Sequence, residues 1–248
     1  MFLIQQSLVR INVEEVYPQK TDTAHAGGFC RCDDGMDYAY KISHPDHRYV
    51  PAAEWLCTSV AQACRVATPP FEIIFSEGGE PWFGSRIEGG KLDEDDCILA
   101  LQAGEMSGKI SNLKERLSSI YALDLFLNNV DRHGKNYLFR TSLDRVVLLA
   151  FDFSLAWLAH GPQLRGFPSA DSNTMMAHRF LEREYGFDAP TALRMVDSIA
   201  GLPAAWIVPC AEAIPEQWKL GNEIDLAVEW WESQERLDRC EQLRGVLK

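Results

Sequence analysis

Asn128-Asn129-Val130-Asp131-Arg132-His133-Gly134-Lys135-Asn136 follows a long apolar stretch, and sixteen residues beyond Asn136 stands Asp152, in Leu149-Ala150-Phe151-Asp152-Phe153. Two short β-rich runs, Tyr137 to Arg140 and Val146 to Phe151, separate the two motifs and read as a hairpin. Upstream, Ser111 to Asn128 places Leu113, Leu117, Ile120, Tyr121, Leu125 and Phe126 at three- and four-residue spacing, which predicts a core helix. A buried helix, a polar loop and a hairpin therefore bring an Asp, an Asn and a second Asp into sequence order.

That set of side chains suits phosphoryl transfer. The reaction needs a carboxylate to orient or deprotonate the attacking hydroxyl, and oxygen ligands to hold magnesium against the phosphates. In protein kinases the catalytic-loop Asp and the metal-binding Asn are five residues apart, and a later Asp-Phe-Gly aspartate holds magnesium. Asp131, Asn136 and Asp152 reproduce that spacing. Alone, an Asp followed by an Asn five residues on is more often a helix cap and a turn residue. The intervening Arg132-His133 and the downstream Phe-Asp-Phe favour the catalytic reading, with His133 as a donor toward the transferring group.

The Asp-Arg-His-x-x-Asn loop and the hydrophobic-Asp-Phe-Ser-Leu-Ala run resemble the HipA-like kinases and, in that loop, the phosphatidylinositol 3- and 4-kinases. The resemblance implies an α+β, two-lobed protein-kinase-like fold with a small β-rich N-lobe and a mainly helical C-lobe. It also implies a phosphate-contacting lysine in the first lobe, for which Lys41, ending Asp37-Tyr38-Ala39-Tyr40-Lys41, is the candidate. Its expected ion-pair partner is Glu54, thirteen residues on in a helix opened by Pro51. Gly27 and Gly28, in Ala26-Gly27-Gly28-Phe29, are the expected turn over the phosphates, since glycine lets backbone amides approach an anion closely.

The same resemblance implies ATP and Mg2+ as cofactors, a protein serine or threonine hydroxyl as acceptor with autophosphorylation, and a small antitoxin-like or regulatory protein as partner. A full HipA kinase is longer, with an extra N-terminal subdomain. Two other classes stay open at this point: a lipid or small-molecule kinase, and an ATP-binding pseudokinase acting as a regulatory binding module. Asp152-Phe153-Ser154 carries Ser where many kinases have Gly, and no Ala-Pro-Glu signature follows between Leu155 and Thr174.

The organisation outside the motifs agrees. Runs at Ser7 to Val16, Phe29 to Arg31, Tyr38 to Ser43 and Phe71 to Phe75 read as strands, with Asp33-Asp34-Gly35 as a hairpin turn. Pro51 to about Arg65 reads as the lobe's helix. Five glycines between Glu77 and Gly90 read either as the crossing between lobes or as two hairpin turns. The expected division is residues 1–90 for a nucleotide-binding lobe and 91–248 for a helical catalytic lobe. In the latter, helices are predicted at Met175 to Tyr185, Pro190 to Ala200 and Glu223 to Leu243.

Composition bounds the partners. With 36 acidic against 24 basic side chains the net charge is −12, a field that repels nucleic acid and anionic membranes. No segment reaches about 18 uninterrupted apolar residues, so a cytoplasmic location is expected. Seven scattered cysteines, an odd number, fit a reducing compartment. Cys30 and Cys32, two apart on a predicted strand, point the same way but lack the further ligands that zinc needs. Trp206, Trp218, Trp230 and Trp231 are expected to be core or interface residues.

Overall fold

The computed structural model of the chain describes residues 9–18, 27–87, 89–90, 93–142 and 145–248. Ser7 and Leu8 of the first predicted strand, and Ala26 of the predicted phosphate turn, lie outside them.

Five strands form a closed barrel: β1 (Ile11–Val16), β2 (Gly28–Cys32), β3 (Asp37–Lys41), β4 (Phe71–Phe75) and β5 (Pro81–Ile87), in the order β1-β2-β3-β5-β4. All pairings are antiparallel except that of β1 with β4, which closes the barrel. The two-residue period of a strand turns Cys30, Cys32, Tyr38 and Tyr40 inward, where they pack with Ile11 and Ile74. The paired thiols thus serve the barrel core, and all seven cysteines are free and buried.

The helix predicted after Pro51 is α1 (Val50–Ala63), buried along most of its length against both lobes. It ends at Arg65, whose φ of 64° closes a six-to-one turn with the Val66 N–H donating to the Ala61 carbonyl. The glycine-rich stretch resolves in favour of hairpin geometry. Ser76 to Glu80 form the β4–β5 turn, and residues 81–87 continue the barrel rather than crossing between lobes. β-Strand pairing on both sides outweighs the glycine content there, and the chain leaves the barrel only after Ile87.

The second lobe is helical: α2 (Glu94–Gln102), α3 (Leu113–Leu127), α4 (Asn173–Tyr185), α5 (Ala189–Ala200), α6 (Ile207–Glu212), α7 (Glu223–Glu232) and α8 (Gln234–Val246). The acidic run at 93–96 is a helix start, with the Asp93 carboxylate accepting from the Asp96 N–H. The single helix predicted over 223–243 is two. Ser233 adopts extended backbone and its hydroxyl accepts the Glu235 N–H, capping α8. Trp218, Trp230 and Trp231 are core residues, and Trp157 stacks on Trp231 at 5.7 Å between ring centroids. The hairpin β6 (Tyr137–Ser142) and β7 (Arg145–Ala150) lies beside α3. Among the described residues no single helix is long and apolar enough to cross a membrane.

His178 of α4 is a partly buried titratable group in this lobe. Its ring stacks on Tyr121 at 3.4 Å and meets Phe187 edge-on, with Glu182 3.6 Å away. Burial holds its pKa below the usual 6.5, and Glu182 only partly offsets this. The unfolded chain therefore binds a proton that the folded chain resists, so stability falls as pH drops below about 6.5. Melting curves across pH 7.5 to 5.5 are expected to show a shallower fall for His178→Phe than for the native chain.

Candidate active site

The two lobes meet at Lys41. It ends β3, and its Nζ donates to Glu54 Oε1, Asp152 Oδ1 and Ser154 Oγ, each at 2.6 Å. Glu54 comes from the middle of α1 and is 2% exposed, whereas the Asp152 side chain, just past β7, is 34% exposed. Glu54 also accepts from the Phe153 N–H at 3.0 Å and the Ser154 hydroxyl at 2.9 Å. An ammonium between two carboxylates is compensated despite burial. Burial alone would lower the Lys41 pKa, but Glu54 and Asp152 together hold it above the usual value. Burial opposes the Asp152 anion too, yet Lys41 and Ser154 hold its pKa below the carboxylate range. Glu54 is pushed up, chiefly by burial.

The connection from α3 to β6 forms a loop held from beneath. Asn128 stops the helix with φ 51°, a left-handed conformation that Asn tolerates. Arg239 of α8, 3% exposed, donates to the carbonyls of Leu125, Phe126 and Leu164, satisfying the end of α3. Arg132 is buried under the loop. It makes a two-pronged pair with Asp124 at 2.9 Å on both arms and also donates to the carbonyls of Asn136 and Phe151. The Thr174 hydroxyl donates to the Asn129 carbonyl at 2.6 Å and accepts from the Arg132 N–H, fastening the loop to α4.

With the loop fixed, Asp131 is presented at its surface, with its side chain 32% exposed. The Asn136 amide donates to the Asp131 carbonyl at 2.7 Å, which leaves Asn136 Oδ1 without a hydrogen-bond partner among the described residues. The Phe151 N–H donates to the Asn136 carbonyl, so the hairpin sets Asn136 beside the backbone that leads into Asp152. His133 Nδ1 accepts from the Lys135 N–H, which assigns the proton to Nε2, 3.9 Å from Asp131 Oδ2. Asn173, at the start of α4, donates to Asp131 Oδ1.

Six of the eight predicted site residues thus fall into two linked groups: Lys41, Glu54 and Asp152 in one, Asp131, His133 and Asn136 in the other. Gly27 and Gly28 are placed by a different demand. The Gly27 N–H donates to the Tyr40 carbonyl, and a Cβ there would lie 2.3 Å from the Tyr40 ring. Gly28 has φ 136°, open only to glycine. The Gly27 amide is therefore committed to the barrel rather than directed at an anion. Sequence reasoning did not reach Ser154, Asn173, Thr174 or the Arg132–Asp124 pair. The pair did leave a signal, because Asp124 is an acid four residues after Ile120 and three after Tyr121, on the apolar face of α3.

The donor set fits a hard cation. Asp152 and Asn136 would offer oxygens, few enough to suit magnesium, which keeps waters and phosphate oxygens as its remaining ligands. No family model matches the sequence, and no curated protein matches it. The fold, by contrast, has solved counterparts. The Helicobacter pylori proinflammatory kinase CtkA superposes with a TM-score of 0.61 at 13% identity, over 94% of this chain and 96% of its own. HipA of Shewanella oneidensis MR-1, solved with HipB and operator DNA as a toxin–antitoxin system, gives 0.55 at 12% identity, over 97% of this chain and 73% of its own. The chain has the HipA-like kinase fold, with the small β-rich and larger helical parts expected from its sequence.

Proposed function

We propose that this chain is an ATP-dependent kinase of HipA-like type that transfers the γ-phosphate to a protein serine or threonine hydroxyl, itself included. The observation that carries the reading is Lys41 Nζ at 2.6 Å from both Glu54 and Asp152, residues 13 and 111 positions away. That pairing of a strand lysine with a helix glutamate, next to a metal-binding aspartate, is the assembled form of a kinase nucleotide site. Residues 1–90 act as the nucleotide-binding lobe and 91–248 as the catalytic lobe.

Magnesium-bound ATP supplies the phosphoryl group and neutralises part of its charge. Lys41 holds the phosphates, and Glu54 orients Lys41. Asp152 and Asn136 would hold the cation through their side-chain oxygens. Asp131 orients the acceptor hydroxyl and takes its proton, while the His133 Nε2–H donates to the transferring group. Gly27 and Gly28 keep the start of β2 close against Tyr40, a barrel role beside the nucleotide site. A small regulatory or antitoxin-like protein is the partner class that goes with this reading.

Intact-mass spectrometry of the protein mixed with ATP and magnesium tests the reaction class. The expected result is ADP together with protein carrying one added phosphate at a serine or threonine. An adenylyl mass gain would show AMP transfer and overturn the proposal. Nucleotide bound without turnover, with casein or a lipid offered as acceptor, would make the chain a pseudokinase.

A further inference from the structure

A cavity of about 390 Å³ opens on the helical lobe away from the Lys41 cluster, bounded by the end of α1, the start of α3, α5 and β7. Its size is in the range of small-molecule sites, roughly 300 to 1,000 Å³. Ile120, Leu148 and Met195 line it with apolar surface. Arg65, Arg116 and Arg194 also line it, all three exposed, and Glu115 is the one acid among its lining residues. Three cations against one anion leave a local charge of +2 on a chain whose total is −12.

These arginines carry few other bonds, although Arg194 lies near enough to Asp188 to help lower its pKa. None forms an ion pair among the described residues. Arg116 Nε donates to the Ser111 carbonyl and Arg194 to the Thr191 hydroxyl, which leaves further N–H groups on each. Arg65 occupies the left-handed position that ends α1, where glycine would be less strained, so a charged side chain is carried at a conformational cost. An apolar floor with a guanidinium rim selects one kind of ligand, an apolar body bearing an anionic head that takes paired N–H donors.

We infer that this cavity is a second ligand site, specific for a small organic anion: a carboxylate, phosphate or sulfonate on an aromatic or branched apolar body. Such a ligand touches the C-terminal end of α1, the helix that holds Glu54, and β7, the strand that leads to Asp152. The Ala67 carbonyl, also in the wall, accepts the Ala150 N–H and ties those two elements together.

Fluorescence titration with 8-anilinonaphthalene-1-sulfonate, beside its uncharged relative N-phenyl-1-naphthylamine, tests the assignment on the full chain. The comparison is native protein against the triple variant Arg65→Gly, Arg116→Gln, Arg194→Gln. Loss of the charge-assisted bonds is expected to weaken the sulfonate probe by about tenfold or more, while the uncharged probe binds both proteins alike. Equal sulfonate affinity in the two proteins would overturn the inference, and so would a parallel loss for both probes. Arg65→Gly suits the left-handed backbone, and the other two changes are on exposed helix faces. Should the triple variant not fold, Arg194→Gln alone is expected to show the same sign at smaller size.

Discussion

Asp131→Asn is expected to lower phosphotransfer by about 10² to 10⁴-fold, the usual contribution of a positioned general base, while leaving nucleotide affinity essentially unchanged. The side chain is a third exposed and its bond from Asn173 is an amide contact, so the substitution keeps the shape of the loop. Asp152→Asn separates from it by the quantity affected. In the proposed site that residue is a cation ligand as well as the partner of Lys41, so its loss is expected to fall on the affinity for magnesium and ATP as well as on the rate. Isothermal titration with ATP and magnesium, set beside single-turnover rates, distinguishes the two. Full activity in either variant would remove that residue from the mechanism, and full activity in both would sink the site.

The contrast explains which parts of the site were legible in the chain. Asp131, Asn136 and Asp152 are separated by short, rigid pieces, a five-residue loop and a hairpin, so their sequence spacing is nearly a spatial statement. Lys41 and Glu54 were legible through the kinase resemblance, which calls for a strand lysine and a helix acid, and the strand and the next helix are adjacent in the chain. The contact of Lys41 with Asp152 spans 111 residues and was not predicted from the sequence, because a pairing across that separation is made only by the tertiary fold. The β5 strand was obscured because Gly84 within it and the glycines on either side of it resemble a linker, while the pairing on both its edges is a tertiary property. The break at Ser233 was hidden by apolar residues that keep helical spacing across it. Ser154 and Asn173 carry no sequence signal of their own, since a serine or asparagine acquires its role from what it faces.

Arg132→Leu is expected to be the most destabilising single change in the molecule outside its apolar core. The Arg132 and Asp124 side chains are 2% and 0% exposed, so removing the guanidinium strands a carboxylate in the interior. Breaking one half of such a pair costs about 3–5 kcal/mol, because the remaining charge loses its partner without regaining water. The loss does not stop at the pair. Arg132 also satisfies the carbonyls of Asn136 and Phe151, the backbone that delivers Asn136 and Asp152, and Asp124 has only the Asn129 amide left. Replacing both residues, as Asp124→Leu with Arg132→Leu, removes the stranded charge and is expected to recover much of the stability. It leaves the Phe151 carbonyl without its Arg132 donor and the Asn136 carbonyl with only the Phe151 N–H, so activity stays low. Chemical denaturation of the native, single and double variants measures the first effect, and phosphotransfer on the double variant measures the second. A double variant as stable and as active as the native chain would show that Arg132 only fills space. A stable but inactive one would show that the buried pair exists to place the loop above it.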